Sequence, residues 1–239
     1  MKRMFVSRRH ALGILGAAVL MHPRFVLAQT GPDPVTLIGA FYDTLLDCMK
    51  RGPELGFDGR YQLIEPVLNQ TFDVATMCKI AVGPEWTKMP GDKKGAVLVT
   101  FNKYMVTTYA ARFKSFVAQE FKVGEAKPAG EGRVLVESKL IRSDGEPVEL
   151  NYLFRLSNNA WRVIDIYLAG AISQMAQMRS DFAKTVTDGG PDALIASLEQ
   201  KILDLKKEIV FAQDVPVIVG CLKRVVGPVF VEEPGDFAF

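Results

Sequence analysis

Histidine is almost absent from this 239-residue sequence, which contains only His10 and His22. Both lie within the first 28 residues, so a chain that lost this segment would contain none. The lack of histidine excludes the Ser-His-Asp and Cys-His catalytic units and every histidine-ligated metal site. Enzymatic chemistry would then require paired carboxylates or a lysine-activated nucleophile, and a binding role is favoured.

Long apolar runs are also absent, and the N-terminal one covers only ten residues, 11–20. This is too short to span a hydrocarbon core of ~30 Å. Basic residues precede the run, and Val26-Leu27-Ala28 supplies a cleavage site before Gln29. Residues 1–28 are therefore predicted to be a secretory signal peptide that is removed. Ser7-Arg8-Arg9 also resembles a twin-arginine export signal, which would mean export of the folded chain.

Cysteine is scarce as well, with Cys48, Cys78 and Cys221 only. The number is odd and no two form a CxxC pair, so buried thiols and a single disulfide both stay open. Gln29, rather than cysteine, follows the predicted cleavage site, which argues against a lipid anchor. No metal site and no cofactor site is visible in the sequence.

The predicted mature chain is mildly acidic. The segment 1–28 has five basic residues and no acidic ones, so its removal leaves 24 basic and 27 acidic residues, a net charge of −3. Nucleic-acid binding requires clustered positive charge and is not expected. We expect a soluble exported protein, periplasmic in a Gram-negative cell.

The order of periodic patterns predicts an α+β fold. Helical spacing is found over 34–51, 60–68, the segment after Asp73 and 93–116. Four short runs, 120–127, 133–141, 147–156 and 161–168, then read as antiparallel strands, and helices return over 173–186 and 191–210. Helices should pack on a twisted antiparallel sheet of about four strands. The segment 29–210 is predicted to be one domain, with 211–239 as a C-terminal extension.

One carboxylate stands out because it lies in an apolar strand. Asp165 follows Val163 and Ile164, and an isolated buried carboxylate would be costly. A catalytic acid is one interpretation, but a structural carboxylate bonded to an arginine or to backbone amides is favoured.

From Trp161 onwards the sequence resembles a known family. The strand Trp161-Arg162-Val163-Ile164-Asp165-Ile166, Arg179-Ser180-Asp181-Phe182 and Gly189-Gly190, together with Phe72-Asp73 and the 101–109 helix upstream, are similar to the MlaC, or Ttg2-type toluene-tolerance, family. The resemblance covers about residues 34–205. The text Tyr167-Leu168-Ala169-Gly170-Ala171-Ile172-Ser173 looks more like its hopanoid-associated branch, HpnM.

This resemblance implies a periplasmic carrier, not an enzyme, that moves phospholipid or a hopanoid-type lipid between inner and outer membranes. It also implies an inner-membrane ABC transporter with an MCE-domain protein and an outer-membrane acceptor as partners. The fold would hold an apolar cavity between helices and sheet.

The apolar faces of the predicted elements indicate which residues would line such a cavity. The lipid-binding residues predicted in this way are Phe101, Tyr104, Met105, Tyr109, Leu150, Tyr152, Phe154, Ile164 and Ile172. Two other classes stay open: an envelope interaction module with a filled core and no ligand, and a carboxylate-dependent envelope hydrolase.

Overall fold

The computed structural model describes residues 31–141 and 147–211, with side chains through residue 207. The predicted signal peptide, both histidines, Cys221 and the predicted extension beyond residue 211 lie outside the described residues.

Within the described residues, five helices come first, followed by a sheet and a long final helix. The helices are α1 (Pro34–Lys50), α2 (Gly52–Thr71), α3 (Val74–Val82), α4 (Glu85–Lys88) and α5 (Gly91–Arg112). The strands are β1 (Glu120–Pro128), β2 (Arg133–Ile141), β3 (Val148–Ser157), β4 (Ala160–Leu168) and β5 (Ile172–Ser173), and α6 is Gln174–Phe211. The predicted α+β class is confirmed, with a fifth, two-residue strand added to the expected four.

The strands form an antiparallel meander in the order β1-β2-β3-β4-β5. Sequential pairing follows from the short connections between the strands. The helices pack on one another and on the sheet around a single core. Three aromatic rings are fully buried in it, Phe41 of α1, Phe101 of α5 and Phe154 of β3.

Local sequence signals explain where several helices begin and end. Asp33 caps α1, because its carboxylate accepts from the backbone N–H groups of Val35 and Thr36 at 3.0 and 3.1 Å. Asp73 caps α3 in the same way, because its carboxylate accepts from the backbone N–H of Thr76 at 2.9 Å. Gly83 then ends α3 with a φ of +71°, a conformation that favours glycine.

Two helices differ from the sequence-based expectation. The predicted short helix 60–68 is part of a longer α2, which starts at Gly52 and breaks at Gly56. The predicted pair 173–186 and 191–210 forms one element, α6, with a break at Gly190, whose φ is +66°. Pro191 follows this break and lacks the N–H that a continuous helix would need there.

A close backbone contact fixes the end of α5 against the start of α2. A Cβ placed on Gly52 would lie 1.8 Å from the Lys114 carbonyl oxygen. The buried Arg60 guanidinium reinforces this junction, since it donates to the carbonyl oxygens of Gly52 and Ala110 at 2.9 and 2.8 Å. Only a residue without a side chain fits at Gly52.

We therefore expect Gly52→Ala to lower the free energy of unfolding by about 1–3 kcal/mol, because the backbone of α2 must move away from Lys114. Gly95→Ala is the matched control, since Gly95 is an exposed glycine of α5 with open space around it. That control should gain about 0.5–1 kcal/mol from helix propensity. Urea unfolding followed by circular dichroism measures both, and equal stability of the two variants would contradict this account.

Candidate functional site

A cavity of about 100 Å³ lies between the helices and the sheet. One face of α5 supplies the wall formed by Tyr104, Met105, Thr108, Tyr109 and Arg112. These residues recur at three- and four-residue steps, so they project to the same side of the helix. Most of this wall is apolar, with polar groups at Thr108 and Arg112.

The sheet supplies the opposite wall through alternate residues of neighbouring strands. Leu150 and Tyr152 on β3 line the cavity, and their cross-strand partners Leu168 and Ile166 on β4 lie beside them. Leu140 on β2 extends the same surface. Because side chains alternate across a strand, these residues share one face of the sheet.

Four methionines complete the apolar lining, and they come from three helices. Met49 lies in the last turn of α1, Met105 lies on α5, and Met175 and Met178 lie in the first turns of α6. Methionine is unbranched and polarizable, so a wall rich in methionine can adapt its shape to apolar groups of different outline. The presence of this cavity means that the interior is not completely filled. An interaction module without ligand was expected to have a filled core.

The structure brings together five of the nine residues predicted to bind lipid. Tyr104, Met105, Tyr109, Leu150 and Tyr152 all line the cavity. Their contact with a ligand stays a prediction.

The other four predicted residues lie elsewhere. Phe101 and Phe154 are completely buried in the packed core, and Ile164 is also buried away from the cavity. Ile172 on β5 is 37% exposed.

A β-bulge accounts for the position of Ile164. The pairing of β3 with β4 shifts between Leu153 and Phe154, so that Phe154 lies opposite Val163 and Ile164 has no cross-strand partner. Beyond the bulge, Ile166 rather than Ile164 lies beside Tyr152.

Sequence reasoning missed several lining residues that come from the ends of elements. Phe113 and Gln119 lie in the α5–β1 connection, and Gln174, Met175 and Met178 begin α6. The regular spacing on α5 and β3 is visible in the sequence. No comparable periodicity marks the ends of chain segments that meet only after folding.

Buried tyrosines form the aromatic part of the site. The hydroxyl of Tyr42 lies 2.5 Å from that of Ser138 and 3.2 Å from that of Tyr152. Ser138 in turn donates to the Leu150 carbonyl oxygen. Burial raises the pKa of Tyr42 to about 12 and also raises the pKa of Tyr109 and Tyr152. These phenols therefore stay neutral at physiological pH.

Asp165 has a structural role in this arrangement. Its carboxylate accepts from the N–H groups of Ile166 and Met175 at 2.8 and 3.1 Å, and from the Ser173 hydroxyl at 2.5 Å. The bond from Met175 satisfies a backbone donor in the first turn of α6, where a negative charge is favourable. The favoured interpretation, a carboxylate held by backbone amides, agrees with these contacts.

Cys48 and Cys78 are separate, buried thiols, and burial raises their pKa to about 11 and about 12. Among residues 31–141 and 147–211 no three His, Cys, Asp or Glu side chains cluster as metal ligands. Within these ranges no helix has both the length and the apolar character needed to cross a bilayer.

An α+β domain with an apolar cavity between its helices and its meander sheet is the class that the geometry defines, and comparisons with known proteins agree with it. The model of the MlaC protein family matches residues 40–200, about two thirds of the sequence. The chain therefore belongs to the MlaC family. No curated protein sequence matches it.

A solved structure has the same fold. It is that of the phospholipid-binding protein from Ralstonia solanacearum in complex with a phospholipid, which is 23% identical to this chain with a TM-score of 0.64. The match covers 73% of this chain and 99% of the other.

The buried tyrosines give a prediction for alkaline pH. The ordinary pKa of tyrosine is 10.0, and that of Tyr42 in the folded chain is about 12. Between these values the unfolded chain releases the proton while the folded chain keeps it, so stability falls as the pH rises. Tyr42→Phe removes this contribution, on the order of 2 kcal/mol, and should make the fall shallower. Urea unfolding from about pH 9 to about pH 12 measures the slope, and equal slopes for both proteins would contradict the assignment.

Proposed function

We propose that this protein is a periplasmic carrier that binds phospholipid, or a hopanoid-type lipid, with its apolar part in the cavity between α5, α6 and the sheet. The observation that carries the proposal is the cavity itself, lined mainly by apolar side chains from the helices and from β2, β3 and β4. Membership of the MlaC family and the phospholipid held by the structural relative support the same ligand class.

The energetics of lipid transfer suit such a site. Burial of one CH₂ group is worth roughly 0.8 kcal/mol, so a single long acyl chain represents on the order of 10 kcal/mol. Escape of a lipid from a membrane into water is slow for this reason. An apolar cavity offers the chain a dry environment and removes much of the barrier.

The cavity must widen to hold a long chain, because its volume of about 100 Å³ is below the ~300–1,000 Å³ of typical ligand sites. Three methionines of the lining have flexible side chains that suit such a change: Met105 on α5, and Met175 and Met178 on α6. We propose that α5 and α6 separate as lipid enters. Handover to a partner protein would use the same movement.

The proposed location and partners rest on the leader and the family. Residues 1–28 would be a signal peptide, Sec or twin-arginine in type, and 29–210 the lipid-binding domain. The carrier would receive or deliver its lipid at an inner-membrane ABC transporter with an MCE-domain protein and at an outer-membrane acceptor.

The binding proposal is tested by native mass spectrometry of purified mature protein, with solvent extraction to identify the lipid. Thr108→Trp fills the cavity from α5, and crowding of this kind costs about 1–3 kcal/mol. We expect this variant to retain no more than about one tenth of the lipid that the unsubstituted protein carries.

Val99→Trp is the matched control, because Val99 lies on the exposed side of the same helix and does not line the cavity. It should keep its lipid. Full lipid content in folded Thr108→Trp would contradict the proposal. So would an unsubstituted protein that carries no lipid after incubation with vesicles. The extracted mass distinguishes phospholipid from hopanoid.

Export has its own expected outcome. Full-length chain expressed in a Gram-negative host should accumulate in the periplasm and begin at Gln29. Lysine substitution of both Arg8 and Arg9 should block export by a twin-arginine route and leave export by the Sec route largely intact, since basic character is kept. N-terminal sequencing of the periplasmic fraction measures the outcome, and a retained Met1 would contradict the signal-peptide assignment.

A further inference from the structure

The cavity has two buried amide side chains in its wall, at Gln119 and Gln174. They come from different parts of the chain, the α5–β1 connection and the first position of α6, and both line the same cavity. Their exposed fractions are 4% and 2%, so bulk water does not solvate them. A polar side chain at such a depth normally has hydrogen-bond partners for all its groups.

Backbone partners fix which way each amide faces. The Val117 N–H donates to Oε1 of Gln119 at 2.6 Å, and an N–H can only donate. Nε2 of Gln174 donates to the Ile172 carbonyl oxygen at 3.3 Å, and a carbonyl oxygen can only accept. Rotation of either amide by 180° would place two donors or two acceptors against each other.

One polar atom on each side chain is left over. Nε2 of Gln119 and Oε1 of Gln174 have no hydrogen-bond partner in the described part of the chain. The first is a donor and the second an acceptor. An unsatisfied buried amide costs stability, so a ligand that satisfies both atoms gains affinity.

We propose that Gln119 and Gln174 form a polar subsite that recognises the non-hydrocarbon part of the bound lipid, and that Gln174 selects lipids whose polar part carries an N–H or O–H donor. The inference rests on the proposed lipid-binding function. Thr108 and the positively charged Arg112 line the same cavity, so oxygen atoms of a phosphate or ester would also find polar surroundings there.

The two amides have different consequences for specificity. The Gln119 donor can serve the phosphate and ester oxygens that every glycerophospholipid possesses. The Gln174 acceptor requires a donor, which the ammonium of phosphatidylethanolamine supplies and the quaternary ammonium of phosphatidylcholine does not. Because both headgroups are zwitterionic, net charge does not explain a preference between them.

The test loads mature protein from mixed vesicles of phosphatidylethanolamine, its N,N-dimethyl derivative and phosphatidylcholine with identical acyl chains. Bound lipid is extracted and counted by mass spectrometry. We expect the two lipids with an N–H to be favoured over phosphatidylcholine by about threefold to tenfold, as one hydrogen bond allows. The dimethyl derivative controls for headgroup size, since it keeps a single N–H.

Two variants separate the roles. Gln174→Met keeps the side-chain length and should bring the preference towards one, because the loading of the two N–H lipids falls towards that of phosphatidylcholine. Gln119→Met should lower the loading of all three lipids by about threefold without changing their ratio. Gln177→Met is the matched control, because Gln177 lies one turn further on α6, bonds to Asp181 and does not line the cavity.

Equal loading of the three lipids by the unsubstituted protein would overturn the inference and leave the proposed lipid-binding function intact. A preference that survives in Gln174→Met would overturn it as well. If no lipid of any headgroup is loaded, the proposed function fails and this inference fails with it. Should Gln174→Met not fold, the preference of the unsubstituted protein for the dimethyl derivative over phosphatidylcholine decides the question.

Discussion

The packing of apolar helix faces against one face of an antiparallel sheet determines both the stability of this protein and the presence of its site. Phe41, Phe101 and Phe154 are completely buried in the core. Further along the same faces, Tyr104, Met105, Leu150 and Tyr152 meet without closing the gap. Cavity and core are therefore continuous, and Phe101 and Thr108, two turns apart on α5, lie in the core and at the cavity. A substitution at Phe101 would reduce stability, whereas one at Thr108 would act first on the cavity.

The tyrosines of the cavity wall carry hydroxyl groups that are buried but uncharged. Burial raises the pKa of Tyr109 and Tyr152. The Tyr42 hydroxyl is hydrogen-bonded with the hydroxyls of Ser138 and Tyr152, and Ser138 donates to the Leu150 carbonyl oxygen on β3. The aromatic wall thus stays neutral, which favours hydrocarbon over ionic ligands. Apart from the tyrosine hydroxyls, the polar side chains that line the cavity lie on α5, in the α5–β1 connection and at the start of α6.

The parts of the fold that could be predicted from the sequence are those with a regular spacing of apolar residues. The meander 120–168 and the long amphipathic α5 are regular, so their class, order and approximate bounds could be predicted, and the resemblance to the MlaC family was confirmed. The β3–β4 bulge could not be predicted, because the alternation of apolar and polar residues does not mark the one extra residue in β4. It moved Ile164 away from the face on which Ile166 lies beside Tyr152.

Residues brought together only by the tertiary fold were equally hidden. Gln119 and Gln174 are separated by the whole sheet in sequence, and each alone is an ordinary polar residue in a connection or at a helix start. Their unpartnered atoms become meaningful only where both line one cavity. Similarly, the need for glycine at Gly52 arises from the backbone of Lys114, which packing brings against it.

The most direct test of the central claim is photo-crosslinking of the mature protein with a phospholipid that carries a diazirine within an acyl chain. Peptide mapping by mass spectrometry then locates the attached lipid. The account predicts crosslinks on the cavity-facing residues of α5, between Tyr104 and Arg112, and on β3 around Leu150 and Tyr152. Crosslinks confined to the exposed surface, for example at Phe116 and Val117, would contradict a lipid-binding cavity between helices and sheet.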